Sequence, residues 1–139
     1  MLFGRYEYTL DAKSRTNSPP KLRAEMGETF YITKWLDGCI IGYAEKEWNR
    51  IAEILKEKSM VKTRDIQRML YANAMDVTPD KQGRILIPQY LKTHANITKD
   101  IIIIGAGNHI EIWDKVSYEE KEASMDFADI EAAMEELEF

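Results

Sequence analysis

The chain contains the stretch DAKSRTNSPPKLR at residues 11–23 and the stretch DKQGRILIPQYLK at residues 80–92. Both place an aspartate, an arginine, a proline, a leucine and a final basic residue at identical spacing. A match of this length inside one small protein indicates that the chain is a duplicated unit. Any side chain that the motif exposes to a ligand therefore occurs twice in the chain.

The similarity extends on both sides of the motif. Residues 6–10 align with residues 75–79, where alternating apolar positions predict one face of a strand. Residues 40–48 align with residues 110–118. Each unit is predicted to run strand, turn, strand, short helix, two strands and helix. We place the first unit at residues 1–58, a helical connector at residues 59–71 and the second unit at residues 72–139.

Composition limits the class of protein. With 139 residues, 45% of them hydrophobic, the chain can build one shared core or two small ones. Two such small units would be marginal alone, so we expect them to interlock. A single cysteine, Cys39, excludes an intrachain disulfide and fits a reducing cytoplasm. Early charged residues argue against a secretory signal, and the longest aliphatic run, Ile101–Ile104, is too short to cross a membrane.

Charge is distributed unevenly along the chain. The net charge is −5, but residues 119–139 hold nine acids and one base, which leaves residues 1–118 at +3. A basic motif region and an acidic C-terminal segment make a charge-segregated protein. Two interpretations of the acidic segment remain open, a solvated helix face and a regulatory role.

Local patterns predict where the helices lie. Proline opens and glycine can close a short helix, and apolar residues at helical spacing mark an amphipathic one. The pair Ser117 and Glu120 has the spacing of a capping box, so we expect a helix to begin at Ser117. Helices are predicted from Pro19 to Gly27, from Pro88 to about Asn96, over residues 44–58, from Thr63 to Ala72 with Ile66, Met69 and Leu70 on its apolar side, and after Ser117.

Strands are predicted between these helices. The run Ile101–Ile104 is β-branched and indicates a buried strand, while Asp37-Gly38 is a strong hairpin signal between two apolar runs. Residues 105–108 could suggest a nucleotide-binding loop, but Ile110 stands at the third glycine position and a strand follows. We therefore interpret residues 105–108 as a hairpin turn. Residues 84–87 form a further predicted strand.

The Asp-x-x-x-Arg turns are the main candidates for function. An aspartate carboxylate favours turns because it accepts hydrogen bonds from nearby backbone N–H groups, so Asp11 and Asp80 are assigned a structural role. Gly83 can take a positive φ angle there without a steric penalty. An internal ion pair that only shapes the loop is the simplest alternative.

The basic residues of the same turns are better suited to a ligand. A rigid guanidinium fits phosphates and guanine edges, which favours ligand contact for Arg15 and Arg84. Lys13 and Lys81 lie beside them.

Catalysis and metal binding find little support in the sequence. Cys39, His94 and His109 do not have the spacing of a zinc site, and no convergent catalytic group can be named. We expect no enzymatic activity, no cofactor and no metal. Trp48 and Trp113 are assigned to the core, whereas Trp35 stays open as a base-stacking candidate.

Together these motifs resemble those of the MraZ family, bacterial transcriptional regulators built from two SpoVT-AbrB (AbrB-like) domains. The resemblance covers essentially the whole chain. It rests on Gly4, Leu10, Asp11, Lys13, Arg15, Pro19, Arg23, Leu36–Cys39, Asp80, Gln82–Pro88, Gly105, Gly107, Asn108 and Glu111–Trp113.

The resemblance implies an α+β fold, mainly β with helices, in which two interlocked repeats form a double-split β-barrel. It implies a ring-shaped homo-oligomer that binds double-stranded DNA at short promoter repeats of the division and cell-wall gene cluster, including its own gene. It further implies a cytoplasmic, nucleoid-associated protein without a membrane partner. By this analogy the residues that face DNA are Lys13, Arg15, Lys81 and Arg84, with Arg5 and Arg23 as further candidates.

Two departures from the family pattern concern the first motif. Ser14 stands where glycine is common, so we expect the first loop to differ in shape. Residues 16–18 are polar where the second unit has Ile85–Ile87, and are expected either to contact DNA or to form an exposed edge.

One alternative to DNA binding is a ring-forming protein-interaction scaffold whose acidic C-terminal helix docks a partner. An antitoxin-like disordered tail is disfavoured by the capped helix expected after Ser117.

Overall fold

The computed structural model describes all residues, 1–139. Eight strands and six helices follow one another in two similar series, with a short 3-10 turn at Leu36–Gly38. In chain order they are β1 (Leu2–Thr9), β2 (Arg15–Asn17), α1 (Pro20–Met26), β3 (Phe30–Lys34), β4 (Ile40–Ala44), α2 (Glu45–Lys56), α3 (Met60–Ala72), β5 (Met75–Val77), β6 (Arg84–Leu86), α4 (Gln89–His94), β7 (Asp100–Gly107), β8 (Ile110–Asp114), α5 (Lys115–Ser124) and α6 (Phe127–Glu136).

The strands form one six-stranded antiparallel sheet, in the order β1-β7-β8-β4-β3-β5, and a separate ribbon of β2 and β6. The two units exchange strands, because β1 pairs with β7 and β5 pairs with β3. The pairs β2–β6 and β4–β8 join equivalent strands of the two units. The expected α+β class is confirmed. No hydrogen bonds join the sheet edges β1 and β5, so the pairing does not close a barrel.

A single apolar core lies on one face of the sheet. Alternate strand residues such as Phe30, Ile32, Ile101 and Ile103 point into it, and the ribbon adds Ile85 from its inner side. Helices α1 and α4 contribute Leu22 and Leu91 to the same cluster. The other face of the sheet carries α2, α3 and α5, for example through Trp113, which contacts the ring of Tyr118 edge-on.

The predicted helices exist, but two of them differ in detail. Helix α5 begins at Lys115, because Asp114 and not Ser117 is its N-cap: the Asp114 carboxylate accepts from the Ser117 backbone N–H at 3.0 Å. Helix α3 begins at Met60, and Ile66 is 43% exposed instead of lying on the packed side. Thr63 and Leu70 are the residues of α3 that are buried.

The hairpin after β7 is tighter than expected. Strand β7 continues through Gly107, which pairs with β1, and the β7–β8 register of Gly105 opposite Ile110 places the reversal at Gly107 and Asn108. The N–H of Ala106 donates to the carbonyl oxygen of His109 at 2.9 Å. Glycine is required at position 105 because a side chain there would collide with the backbone of β1 at Phe3. The hairpin interpretation is therefore confirmed, and its two turn residues, Gly107 and Asn108, lie within the predicted stretch 105–108.

Every helix is too short or too polar to span a lipid bilayer. Helix α3 spans most of the predicted connector, and Thr33 of β3 donates its hydroxyl hydrogen to the Leu70 carbonyl oxygen at 2.6 Å. The boundaries assigned to the two units stay a prediction.

Candidate nucleic-acid interface

The two Asp-x-x-x-Arg loops have the same hydrogen-bond pattern. In the first, one carboxylate oxygen of Asp11 accepts from the backbone N–H groups of Lys13 and Arg15, both at 2.9 Å. Its other oxygen accepts from Nε of Arg15 at 2.8 Å. In the second, Asp80 accepts from the N–H groups of Gln82 and Arg84 at 2.9 Å and from Nε of Arg84 at 2.8 Å.

These bonds stabilise the ionised carboxylates. The backbone N–H of Arg15 is the largest influence that lowers the pKa of Asp11, and the N–H of Arg84 does the same for Asp80. Both aspartates are therefore charged at neutral pH. Each one binds Nε of its arginine, which leaves the terminal amino groups without a partner in the chain.

The fourth residue of each loop lies in the left-handed region, with φ of 60° at Ser14 and 78° at Gly83. The expectation that Ser14 changes the shape of the first loop is therefore wrong. Serine tolerates this conformation less readily than glycine. The N–H groups of Ser14 and Gly83 close the two turns on the carbonyl oxygens of Asp11 and Asp80 at 3.0 and 2.9 Å.

Each loop is also contacted by a basic residue from the other unit. The guanidinium of Arg23, on α1, lies over Gly83, where any side chain would collide with it. Its Nη1 is 3.3 Å from the Ser18 hydroxyl oxygen. In the equivalent place Nζ of Lys92, on α4, donates to the Ser14 hydroxyl oxygen at 2.9 Å. Arg23 thus packs against the second loop at Gly83.

The ribbon of β2 and β6 places both arginines on one solvent-facing side. Arg15 is opposite Leu86 and Asn17 is opposite Arg84, so the two arginines are diagonal neighbours with Cα atoms about 7–8 Å apart. Two backbone bonds between the units extend the pairing beyond the ribbon, from Ser18 to Gly83 at 2.9 Å and from Ile87 to Ser14 at 3.0 Å.

The opposite side of the ribbon is buried. Thr16 is 1% exposed and Ser18 is 7% exposed, which corrects the expectation that residues 16–18 form an exposed edge. Only Asn17 of that stretch faces solvent. Hydrogen bonds satisfy the polar groups, because Thr16 donates to the Asn17 carbonyl oxygen and Ser18 to that of Gly83.

The structure brings together most of the predicted site residues. Lys13 and Lys81 are exposed on the loops, beside Arg15 and Arg84. The terminal amino groups of these two arginines donate to no atom of the chain.

Arg5 lies elsewhere, in the middle of β1 and about 13 Å along that strand from Thr9. Its guanidinium is bound to Glu122 at 2.9 Å, and this bond is the largest cause that raises the pKa of Arg5.

Sequence reasoning missed two residues of this surface, Leu86 and Lys92, and named Asn17 only as one of three polar residues that contact DNA or form an edge. Asn17 and Leu86 lie on the solvent face between the arginines, and Lys92 supports the first loop. The signal for Asn17 and Leu86 was the period-two alternation of a strand, which places residues 15 and 17 on one side. The signal for Lys92 was its position as the final basic residue of the motif.

The remaining reactive side chains do not form a site. Cys39 is fully buried, and burial is the largest cause that raises the pKa of its thiol, as expected for a core residue. His109 contacts Glu111 at 2.9 Å, and that bond lowers the pKa of the Glu111 carboxyl group. No group of three histidine, cysteine, aspartate or glutamate residues is arranged to hold a metal ion.

The chain is therefore an α+β protein of two interlocked repeats that exposes paired basic loops on one β-ribbon. A family model described as "MraZ protein, putative antitoxin-like" matches residues 1–69 and again residues 70–137. A protein of Caldanaerobacter subterraneus subsp. tengcongensis, named "Transcriptional regulator MraZ", is 46% identical over 128 residues, which are 91% of this chain and 90% of that protein. The chain belongs to the MraZ family. The two matches of the family model confirm the internal duplication.

Proposed function

We propose that this chain is a non-enzymatic, sequence-specific DNA-binding transcriptional regulator. The observation that carries the proposal is the pair Arg15 and Arg84, held on one exposed ribbon with their terminal amino groups unbonded. The relative named as a transcriptional regulator supports it. Its proposed targets are short repeats in the promoter of the division and cell-wall gene cluster, its own gene included.

The ribbon suits the major groove of DNA, which admits a two-stranded β-ribbon. Arg15 and Arg84 would each donate two hydrogen bonds to a guanine, while Asn17 suits adenine and the Leu86 side chain suits a thymine methyl group. Lys13 and Lys81, on the flanking loops, would contact phosphates and set the position of the ribbon. Arg23 would act through the second loop. Arg5 would have to leave Glu122 to reach DNA.

A DNA titration tests the proposal. Labelled DNA from upstream of the protein's own gene is titrated with the wild type, Arg15→Ala and Arg84→Ala at two salt concentrations. Each substitution should weaken binding by about 10- to 100-fold, because a bidentate contact to guanine is worth about 1–3 kcal/mol. Wild-type affinity should fall steeply with salt.

The matched control is Arg50→Ala, which removes an exposed arginine paired with Glu47 on α2 and should leave affinity unchanged. Arg84→Lys keeps the charge but loses the planar fork, so it should retain only part of the affinity. If the intact, assembled wild type does not bind this DNA, the proposal fails.

We also propose that several copies assemble into a ring. The net charge of +3 outside residues 119–139 gives one copy weak attraction to DNA, so affinity should come from several linked sites on repeated boxes. The C-terminal helix α6 is acidic and wholly exposed, and carries an apolar stripe of Phe127, Ile130, Met134 and Leu137. A contact between one such face and a different face of the next copy can close into a ring.

A basic region with exposed apolar side chains, opposite in charge to α6, runs from Lys56 to Arg68. Met60, Val61 and Ile66 are exposed there, among Lys56, Lys58, Lys62, Arg64 and Arg68 against the acids Glu57 and Asp65. We expect the double substitution Ile130→Glu with Met134→Glu to lower the molecular mass measured by sedimentation. The control Ala132→Glu with Glu136→Gln adds and removes charge off the stripe and should not change it. An unchanged mass in the first variant would argue against this contact.

A second candidate function is a protein-interaction scaffold, in which the same α6 stripe docks a different protein. Salt distinguishes the two, because DNA binding through phosphates weakens steeply with ionic strength while an apolar helix contact responds less.

For the fold, we propose that sheet and ribbon, which share one core, form the double-split β-barrel of the MraZ type. We propose a cytoplasmic, nucleoid-associated location.

A further inference from the structure

Counted with the edge strand that each unit receives by exchange, β5 for the first unit and β1 for the second, the two units differ on the helix-bearing face of the sheet. In the second unit Arg5 of β1 lies over the ring of Tyr118, with its Cζ 5.2 Å from the ring centroid. Its Nη1 donates to Glu122 at 2.9 Å and its Nη2 is 3.5 Å from a carboxylate oxygen of Glu7. An aromatic ring and two carboxylates therefore hold one guanidinium at this edge of the sheet.

Strand register identifies the equivalent position in the first unit. Strand β5 pairs with β3 as β1 pairs with β7, so that Asp76 opposite Tyr31 corresponds to Glu7 opposite Ile102. In the second unit Lys115 also contacts Glu7, at 3.4 Å. Five residues of the second unit thus have equivalents in the first. Arg5 corresponds to Ala74, Glu7 to Asp76, Tyr118 to Trp48, Glu122 to Ala52 and Lys115 to Glu45.

The first unit thus keeps the aromatic ring and the strand carboxylate but has neither base. An open cavity of about 310 Å³ lies there, lined by Tyr31, Trp48, Ala74, Met75 and Asp76. The rings of Tyr31 and Trp48 are stacked, with centroids 5.4 Å apart. Asp76 forms no ion pair and no side-chain hydrogen bond within the chain, in contrast to Glu7, which contacts two bases.

We propose that this cavity binds a guanidinium group supplied by another molecule. The cation lies over a ring face that the Tyr31–Trp48 stack leaves uncovered and pairs with the carboxylate of Asp76, as Arg5 does with Tyr118 and Glu7 in the other unit. Tryptophan is the best aromatic partner for a cation. Glu45 of the first unit corresponds to the basic residue Lys115 of the second. The site in the first unit is therefore the more acidic of the two.

The guanidinium has two possible sources, a free arginine-like molecule and an arginine side chain of a second copy of this chain. Both present the same planar cation. The proposal concerns a site on the opposite face of the sheet from the basic loops. It does not depend on the proposed DNA binding.

Binding is measured with N-acetyl-arginine amide and with N-acetyl-citrulline amide, a neutral molecule of nearly the same shape. The indole N–H signal of Trp48 is followed by NMR, and stoichiometry is measured by calorimetry. We expect the charged amide to bind roughly tenfold more tightly at one site per chain. Asp76→Asn should remove most of this preference. Equal affinity for both amides would overturn the proposal.

The internal repeat supplies two matched variants. Ala74→Arg should place an internal guanidinium in the cavity, as Arg5 does in the other unit, and abolish binding. Arg5→Ala should open the equivalent position beside Tyr118 and raise the stoichiometry towards two. Undiminished binding by a folded Ala74→Arg variant would contradict the assignment of the cavity.

Sedimentation identifies the source. If the guanidinium belongs to a second copy, Ala74→Arg and an excess of the arginine amide should both lower the molecular mass of the assembly. If the natural ligand is a free molecule, both should leave the mass unchanged while the charged amide still binds.

Discussion

Ser14 and Gly83 occupy the same position in the two loops and meet different partners. Gly83 has no side chain, which leaves room for the guanidinium of Arg23 above it. Ser14 has a hydroxyl oxygen instead, which accepts a hydrogen bond from Nζ of Lys92 at 2.9 Å. The two loops therefore have the same shape although different residues occupy this position. At each loop the support comes from the other unit, so the two arginines of the ribbon are positioned jointly.

The two loop aspartates predict an acid-sensitive fold. The pKa values of Asp11 and Asp80 are lowered in the folded protein, chiefly by backbone N–H groups. Their stabilising contribution is therefore complete above the unfolded pKa of about 3.9 and is lost as pH falls through the lower folded values. In urea unfolding between pH 6 and pH 2, Asp11→Asn with Asp80→Asn should show a shallower loss of stability than the wild type.

Asp65→Asn serves as the control, since it removes an exposed carboxylate from a surface pair with Arg68. It should keep the slope of the wild type. The same acid slope in the double loop variant and in the wild type would show that the loop carboxylates are not linked to folding. Glu111, whose pKa is lowered by His109, accounts for part of the slope that remains.

Strand β7 is the element that holds the two units together. It pairs with β1 on one side and β8 on the other, so neither of its edges is free. Ile101 and Ile103 point into the main core, while Ile102 packs on the other face with Trp113 opposite it. The continuous apolar run is therefore a consequence of burial on both faces.

Ile103→Ala should destabilise the protein by about 2–4 kcal/mol, because it leaves a cavity in a fully buried strand. Ile66→Ala on α3 removes the same atoms from a side chain that is 43% exposed, and should cost less than about 1 kcal/mol. Chemical unfolding measures both. Equal losses would mean that Ile66 is packed in solution, as its spacing on the helix predicts.

The whole molecule is a pair of units that cannot be separated without breaking strand pairs. Strands β1 and β5 cross to the other unit, and the ribbon needs one strand from each. The basic loops consequently lie next to each other on one surface. The acidic helix α6 is exposed along its length, whereas α3, the helix of the connector, packs on β3 through the bond from Thr33 to Leu70.

A fragment of residues 1–72 should therefore not fold as a monomer. It retains β1 without β7 and β2 without β6, so apolar strand faces and unpaired edges stay exposed. Circular dichroism and sedimentation should show either an unfolded chain or a homodimer, since β2–β6 and β4–β8 join equivalent strands. Addition of residues 73–139 should restore the folded protein. A folded monomer of the fragment would contradict the interlocked arrangement.

The duplication, the type of nearly every element and the two aspartate turns could be predicted from sequence. These depend on residues a few positions apart, such as Asp80 and Arg84, whose spacing already defines the hydrogen bonds they make. Three features could be seen only in the folded chain: Thr16 is buried, Arg5 is bound to Glu122, and Arg23 and Lys92 contact the loops of the opposite units. Each of these depends on which segments of the two units meet in space, and strand exchange brings together residues that no local pattern connects.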